Sequence, residues 1–399
     1  MTEIFEGKNI VLGVSGGIAA YKSVELLRQL VKSGASVRVL MTENAGWFVG
    51  SLTFEALSGK PVCSDLFKAG HDASIGHIAW AEEADAVVVA PATANVIGKL
   101  AGGIADDALT TFMLAVTAPV LICPSMNTDM YLSPAVQRNL DRLERYGHQV
   151  LRPDSGELAC GVIGPGRLPE PEEIRNRLVK LMLSGDLSGK QVLVTAGPTQ
   201  EPMDPVRFIS NPSSGKMGYA IAAAAEQRGG RVTIVSGPTA LADPYGVTVI
   251  RVQTAQQMAD AVFTSADQAD IIIKAAAVSD YRPEETSGEK IKKNSQDLLV
   301  KLVRTTDILA EIGKHKGDRF LVGFAAETQG LDRHAIEKLS RKNLDMIVGN
   351  IVKGAETAFG SDRNQASFYY RDGSQEALPR MDKKGLAHIL LDRIVERIG

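Results

Sequence analysis

The chain has 399 residues, 44% apolar and 23% charged, an ordinary globular composition long enough for two cores. A formal net charge of −3 argues against a broad basic face for nucleic acid. The cysteines Cys63, Cys123 and Cys160 lie far apart. They suit neither a disulfide framework nor a metal site, and they fit a reducing cytoplasm.

The opening MTEIFEGKNI carries acids and no apolar core, so it does not read as a secretory leader. NIVLGV (9–14) reads as a buried strand, IAAYKSVELLRQLVKSG (18–34) as a helix stopped at Gly34, and SVRVLMT (36–42) as the next strand. SIGHIAWAEEAD places His77 just before an amphipathic helix. ADAVVVAPAT (84–93) and APVLICPSM (118–126) are further strands, and PEEIRNRLVKLML (171–183) is a helix that closes the unit. The longest apolar-leaning run, LTTFMLAVTAPVLICP, is too short and too broken by Thr and Pro to span a bilayer.

The polar SGDLSGK (184–190) marks a boundary, after which the pattern restarts. KQVLVTAGPT echoes KNIVLGVSGG, and MGYAIAAAAEQRGGRVTIVSGP echoes the first helix and second strand. The second copy inserts QEPMDPVRFISNPSSGK between its first strand and first helix. VTVIRVQ, a helix near 255–266, ADIIIKAAAVSDYRP, RFLVGFAAET and LDMIVGN continue the alternation. ASFYYRDGSQEALP predicts a hairpin around Asp372–Gly373, and GLAHILLDRIVERI predicts a terminal helix. The expected fold is α/β: two tandem doubly wound (Rossmann/flavodoxin-like) domains with mainly parallel sheets, residues 1–187 and 188–399.

Ligands in open α/β sheets sit beyond the carboxyl ends of the strands. After the first strand, GVSGGIAAYK (13–22) offers backbone N–H groups at a helix N-terminus. A dinucleotide fingerprint fails, because Ser15 and Ile18 stand at the second and third glycine positions and only Glu43 mimics the ribose-binding acid. A mononucleotide phosphate suits the loop better; a tight βα turn without ligand is the alternative. APATANVIGKLAGGIADD (90–107) places Pro91, Thr93 and Asn95 among small residues, as a flat polar ligand or ordinary helix capping requires. In PSMNTDM (124–130), Asn127 either caps a helix or binds substrate. SGELACGVIGPGRLPEP (155–171) sets Cys160 among glycines and prolines, in a surface loop or a lid.

These motifs, in this order over about residues 5–185, resemble the flavin-dependent cysteine decarboxylases, in particular phosphopantothenoylcysteine decarboxylase. The resemblance implies FMN bound by Ser15, Gly16, Gly17, Ile18 and Thr42, and by Pro91, Ala92, Thr93 and Asn95. It also implies that Cys160 rides on a flap and protonates an intermediate, with His77 and Asn127 as the other catalytic residues. Ser125 stands where that family most often has Ala. The chemistry explains the residue types: oxidation of the thiol gives the departing carboxylate an electron sink, and a mobile acid then returns a proton.

The second half has its densest motif at TAGPTQEPMDPVRFISNPSSGKMG (195–218), which holds Asp204, Arg207, Asn211, Ser213, Ser214 and Lys216. SSGKMG lacks the first glycine and the final Ser/Thr of a Walker loop. Asp280 follows a strand, and Lys338 and Lys342 lie four apart on one helix face, either as a solvated basic face or as a triphosphate clamp. From about 188 to 399 the chain resembles phosphopantothenate–cysteine ligase, and the order of the halves matches the bifunctional bacterial enzymes of coenzyme A synthesis. The resemblance implies that CTP activates 4′-phosphopantothenate as an acyl-cytidylate held by Asn211, which cysteine then attacks. It implies CTP contacts at Ala276, Asp280, Lys290, Phe324, Lys338 and Lys342, and at Thr306, Asp307, Ile308 and Leu309. RTTDI (304–308) departs there from the family's K-N-P-D-I but keeps Asp307. Mg²⁺ would offset the triphosphate charge, through ligands that the sequence leaves unknown. Neither nucleic acid nor membrane is an expected partner; a cytoplasmic homo-oligomer is, with trimeric decarboxylase and dimeric ligase units. The rival classes are a flavin-binding regulatory subunit, opposed by His77, Asn127 and Cys160 together, and an NAD(P) oxidoreductase, opposed by the missing fingerprint.

Overall fold

A computed structural model describes residues 4–65, 73–158, 161–183, 185–292, 298–327, 331–351 and 361–399, with the side chains of 73–77, 326–327, 331 and 351 outside the description. The chain divides into two compact units, Met1–Ser184 and Gly185–Gly399. The boundary expected after residue 187 lies in the same polar stretch.

The first unit runs β1 (Asn9–Val14), α1 (Ala20–Lys32), β2 (Ser36–Met41), a 3-10 turn (Glu43–Trp47), α2 (Ser51–Ser58), α3 (Ala73–Glu83), β3 (Ala86–Ala92) and α4 (Ala94–Gly102). It continues with α5 (Ala108–Ala115), β4 (Val120–Pro124), α6 (Thr128–Leu132), α7 (Pro134–Arg145), β5 (Gln149–Val150), β6 (Asp154–Glu157), β7 (Ile163–Arg167) and α8 (Pro171–Met182). Five strands form one sheet in the order β2-β1-β3-β4-β5, every pair parallel. Alternation along β1 sends Ile10, Leu12 and Val14 to a face covered by Leu26 and Leu27 of α1 and Ile174 and Leu178 of α8. Val11 turns to the opposite face, under Ile97 of α4, Phe112 of α5 and Leu140 of α7. Both faces are covered, so the central strands β3 and β4 read as unbroken apolar runs, whereas β2 carries Arg38. Each buried side chain such as Leu12 contributes roughly 1.5–3 kcal/mol. The strand order is flavodoxin-like, and its switch point lies between β1 and β3.

His77 lies inside α3 rather than ahead of it. The helix also takes in Gly76, since one helical glycine costs only about 1 kcal/mol.

The second unit runs β8 (Gln191–Ala196), β9 (Gln200–Pro202), β10 (Phe208–Ser210), α9 (Lys216–Gln227), β11 (Arg231–Ser236), β12 (Thr248–Arg251), α10 (Ala255–Ala266), β13 (Ile271–Lys274), β14 (Tyr281–Pro283) and β15 (Leu302–Arg304). Then follow α11 (Ile308–Lys314), β16 (Phe320–Glu327), α12 (Leu331–Arg341), β17 (Met346–Ile351), β18 (Arg363–Asn364), β19 (Ala366–Tyr370), β20 (Gln375–Ala377), β21 (Met381–Asp382) and α13 (Lys383–Ile398). The main sheet has eight strands in the order β12-β11-β8-β13-β16-β17-β19-β20. Its first six strands are parallel, and the hairpin β19–β20 adds an antiparallel edge. Counted within the unit, the parallel strands run 3-2-1-4-5-6, the Rossmann order, with the switch point between β8 and β13. Val192, Val194, Ile271 and Ile273 pack towards α9 and α13, whereas Leu193 and Ile272 pack towards α10, α11 and α12. Gly218 lets α9 approach β8, since a Cβ there would sit 2.6 Å from Ala196 Cβ. The inserted segment forms the antiparallel hairpin β9–β10.

Candidate active sites

In the first unit the chain crosses its switch point through one hydroxyl. Ser15 Oγ, fully buried, donates to Pro91 O at 2.7 Å and accepts from Thr93 N–H at 3.0 Å. Ser15 N–H also donates to Pro91 O at 3.3 Å. Ser15, Pro91 and Thr93 therefore share one edge. Helix α1 opens beside them with no side-chain cap and no acid in its first turn, the setting in which N–H groups at a helix start accept a phosphate. Gly16 packs on Asn44, where a Cβ would come within 2.5 Å. Thr42, buried, donates its N–H to Val14 O at 3.0 Å. Ala92 is buried, so a ligand meets its backbone, whereas Ile18 and Asn95 are exposed. Thr93 occupies the N-cap of α4 but makes no side-chain cap.

Asn127 joins this edge through its loop. Ser125 N–H donates to Ala92 O at 3.0 Å, and Asn127 caps α6 by accepting from Asp129 N–H at 2.8 Å. The hairpin β6–β7 lies against the same loop. Met126 N–H donates to Gly166 O at 3.1 Å, and Ser125 Oγ donates to the same oxygen at 3.3 Å. Gly166 sits at φ 149°, and a Cβ there would lie 2.2 Å from Met126 O. No residue with a side chain fits this approach. Cys160 belongs to the connection of this hairpin and, with Ala159, lies outside the described residues; so does the His77 side chain. Lys22, buried on α1, donates to Leu168 O and to Glu170 Oε1, both at 2.8 Å. It ties the hairpin's exit to the helix that begins at the cradle. Lys22 went unnoticed in the sequence because a helical lysine reads as solvated.

In the second unit the crossing uses two hydroxyls. Ala276 N–H donates to Thr195 Oγ1 at 3.1 Å, and Ser279 N–H donates to Thr199 Oγ1 at 3.0 Å. Asn211 Nδ2 donates to Val278 O at 3.1 Å, which places the insertion's asparagine on this edge. Asp280 O accepts from Thr305 N–H at 2.9 Å, joining the 305–309 segment to the edge. Asp307 caps α11 through Ala310 N–H and pairs with Lys342 at 2.7 Å. Desolvation opposes ionisation of Asp307, but the Lys342 contact prevails and holds its carboxyl below the usual range. Ile308 and Leu309 are buried in the core, so only their backbone is available to a ligand; Thr306 is exposed. Ala276 is buried, and Phe324 is half-buried against the sheet core. Lys338 and Lys342 flank the end of α12, Lys342 N–H donating to Lys338 O at 3.0 Å.

Lys290 is exposed on a separate segment, which the insertion holds in place. Asp204, buried below β9, accepts from Val206 N–H and Arg207 N–H at 2.8 Å, from Arg207 Nη2 at 2.6 Å and from Ile291 N–H at 3.1 Å. Arg207 Nη2 also donates to Ile291 O at 2.5 Å. Desolvation alone would raise the Asp204 pKa; these donors hold its carboxyl well below the ordinary range. Two features of this edge escaped sequence reading. Ser279 Oγ is buried without a hydrogen-bond partner, and Lys274 ends an otherwise apolar strand. A lysine closing a buried IIIK run is a legible signal in hindsight.

Among the described residues no three His, Cys, Asp or Glu side chains form a metal-sized group, and no helix is long and apolar enough to cross a membrane.

Two doubly wound units, each with an occupiable edge, match two families. Residues 2–183 match the family described as Flavoprotein, and residues 187–398 match the DNA/pantothenate metabolism flavoprotein C-terminal domain. The class is therefore a two-domain flavoprotein of pantothenate metabolism. Over 395 residues the chain is 49% identical to the coenzyme A biosynthesis bifunctional protein CoaBC of Bacillus subtilis (strain 168), covering 98% of this chain and 97% of that protein. It is 47% identical over 396 residues to CoaBC of Escherichia coli (strain K12), covering 98% and 97%. A crystal structure of the C-terminal domain of a CoaBC protein is 43% identical, with a TM-score of 0.47, covering 53% of this chain and 97% of that one. The chain belongs to the CoaBC family of bifunctional coenzyme A biosynthesis proteins.

Proposed function

We propose that the second unit ligates cysteine to 4′-phosphopantothenate at the expense of CTP, and that the first unit decarboxylates the resulting 4′-phosphopantothenoylcysteine to 4′-phosphopantetheine. The observation carrying this reading is the convergence of each unit's motif residues on its own switch point. In the second unit the substrate carboxylate attacks the α-phosphorus of CTP and pyrophosphate leaves. The amine of cysteine then attacks the acyl carbon and CMP leaves. The Asn211 amide donor is the group for the acyl-cytidylate, and Asp280, Lys290, Lys338 and Lys342 position the nucleotide with Phe324. Mg²⁺ enters with the triphosphate, as hard cations commonly do.

In the first unit the uncapped start of α1 and the Ser15–Pro91–Thr93 edge fit the phosphate and ring of FMN, in keeping with the flavodoxin-like switch point. Bound FMN supplies oxidation of the substrate thiol and the later return of the electrons. Asn127 and His77 orient the substrate. Cys160, on a hairpin pinned to the Asn127 loop, delivers a proton to the carbon that has lost carbon dioxide.

The exposed Ile18, Tyr21, Trp47 and Leu52 near the cradle support subunit contacts there, consistent with trimeric decarboxylase units; dimeric ligase units follow from the resemblance, as does a cytoplasmic setting. Two assays on purified protein test the reading: pyrophosphate release that requires CTP, phosphopantothenate and cysteine together, and carbon dioxide release from phosphopantothenoylcysteine. Heat-denatured protein should release FMN. Colourless protein that takes up no FMN and releases no carbon dioxide would overturn the decarboxylase assignment.

A further inference from the structure

Lys274 is the last residue of β13, in register with Thr195 of β8 and Gly323 of β16. It therefore stands at the carboxyl edge of the strand that borders the switch point. Strand alternation places it on the face of Ile272, which packs towards α11 and α12, and not on the face of Ile271 and Ile273. The charged groups around it come from those same elements. Asp307 caps α11, Lys338 lies in the last turn of α12 and Lys342 just past it, and Asp280 follows β13 itself. The cluster thus holds three ammonium groups and two carboxylates. Lys342 is already paired with Asp307 at 2.7 Å. Among the described residues, the Lys274 side chain makes no hydrogen bond or ion pair.

Among the described residues this half-buried ammonium has no carboxylate of its own, a costly arrangement that a polyanion placed beside it relieves. We infer that Lys274 is a further nucleotide-binding residue of the ligase unit, its ammonium taking a phosphate oxygen of CTP. This rests on the ligase reading above and adds a contact that its motifs did not contain.

The inference has a signature in pH. Burial, and then the Lys342 ammonium, push the Lys274 pKa down to about 8, against the smaller pull of Asp307 and Asp280. The free protein therefore sheds this proton as pH rises through that value, whereas bound triphosphate retains it. CTP binding must take up a proton above that pH and weaken as pH rises. The sign for folding is the reverse: unfolded Lys274 keeps its proton to higher pH, so its burial penalty is full below the lowered pKa and fades as pH rises towards the ordinary lysine value.

The test is calorimetric titration of full-length protein with CTP in excess magnesium, without phosphopantothenate, at about pH 7 and about pH 9. Lys274→Met, which removes the charge but keeps the length, should bind about tenfold more weakly than the parent at the lower pH. The parent should lose most of that advantage at the higher pH, so the ratio of the two affinities shrinks. Titrations common to both proteins cancel in that ratio. Lys274→Arg should keep the tight binding at both pH values. Without CTP, Lys274→Met should melt no lower than the parent, which separates a ligand contact from a structural role. Equal CTP affinity of the parent and Lys274→Met at both pH values would overturn the inference and leave the ligase reading standing. Folded parent protein that binds no CTP at all would overturn the ligase reading, and this inference with it.

Discussion

The two units solve one problem in two ways. Each begins with strand, glycine loop, helix and strand, and each bridges its switch point with a side-chain hydroxyl at the carboxyl end of its first strand: Ser15, just past β1, in one, and Thr195, the penultimate residue of β8, in the other. The bridges join different neighbours, because the first sheet runs β2-β1-β3 and the second β11-β8-β13. In the first unit the loop from β1 to α1 is short and the cradle is almost free of charge. In the second, the hairpin β9–β10 intervenes, and lysines and aspartates gather at the edge. A short neutral cradle suits a resident flavin whose single phosphate meets a helix start. A charged edge with an inserted hairpin suits a triphosphate that must arrive, react and leave. One topology class thus hosts two chemistries through what is attached at the switch point.

The comparison breaks most sharply at Asn211. Its amide donates to Val278 O, so Asn211→Asp sets a carboxylate against a carbonyl and against the incoming nucleotide. Like charges in a partly desolvated site cost several kcal/mol, so ligation should fall by about a hundredfold or more, read as pyrophosphate release. Gly166→Ala tests the first unit. The added Cβ would lie 2.2 Å from Met126 O, so the hairpin must shift, at a cost of about 1–3 kcal/mol to that unit. Decarboxylation should drop several-fold while ligation is unchanged, with differential scanning calorimetry registering the lower transition.

Asp204→Asn tests whether the insertion serves the nucleotide by holding the Lys290 segment. An amide cannot accept on both sides as the carboxylate does, where Oδ1 takes Val206 N–H and Arg207 N–H while Oδ2 takes Ile291 N–H and the Arg207 fork. The KM for CTP should rise about tenfold, with a smaller change in kcat. The lowered Asp204 pKa means that the clamp is complete above the ordinary carboxylate pKa, persists below it, and fails only as pH falls through the lowered value of the folded protein. The KM for CTP in the parent should therefore show no loss of this clamp between about pH 8 and pH 5. The smallest effect belongs to Lys301–Glu284, whose side chains are 74% and 43% exposed. Lys301→Ala should change stability by about 0–1 kcal/mol and leave the KM for CTP unaltered. A large effect there would mean that general surface charge, rather than the edge cluster, attracts the nucleotide.

Much of this was legible in the sequence. The strands Asn9–Val14, Gln191–Ala196 and Ile271–Lys274 declared themselves because both faces of each sheet are covered, so their middles are apolar and polar residues stand only towards the ends. The repeat of strand, loop and helix exposed the two units for the same reason. Thr93 and Asn211 were singled out as polar loop residues, and the structure places both at the switch-point edges. What escaped depends on pairings far apart in the chain. Lys22 reaches 146 residues to Leu168 O, and Asp204 reaches 87 residues to Ile291 N–H; no local pattern encodes such contacts. The start of α3 was also misread, because the helix begins at Ala73 and takes in both Gly76 and His77. Strand order also stayed hidden, because the two units share an alternation of elements and differ only in which side of the sheet the third strand joins.

The central claim is that each switch point houses its own reaction. Its most direct test is to assay both half-reactions in the same preparations of His77→Asn and Asn211→Asp, each confirmed to carry FMN and to keep its assembly. The account predicts that His77→Asn releases pyrophosphate with CTP, phosphopantothenate and cysteine but no carbon dioxide from phosphopantothenoylcysteine. Asn211→Asp should do the reverse. Loss of both activities in either flavin-bearing variant would contradict two separate sites and require one shared centre.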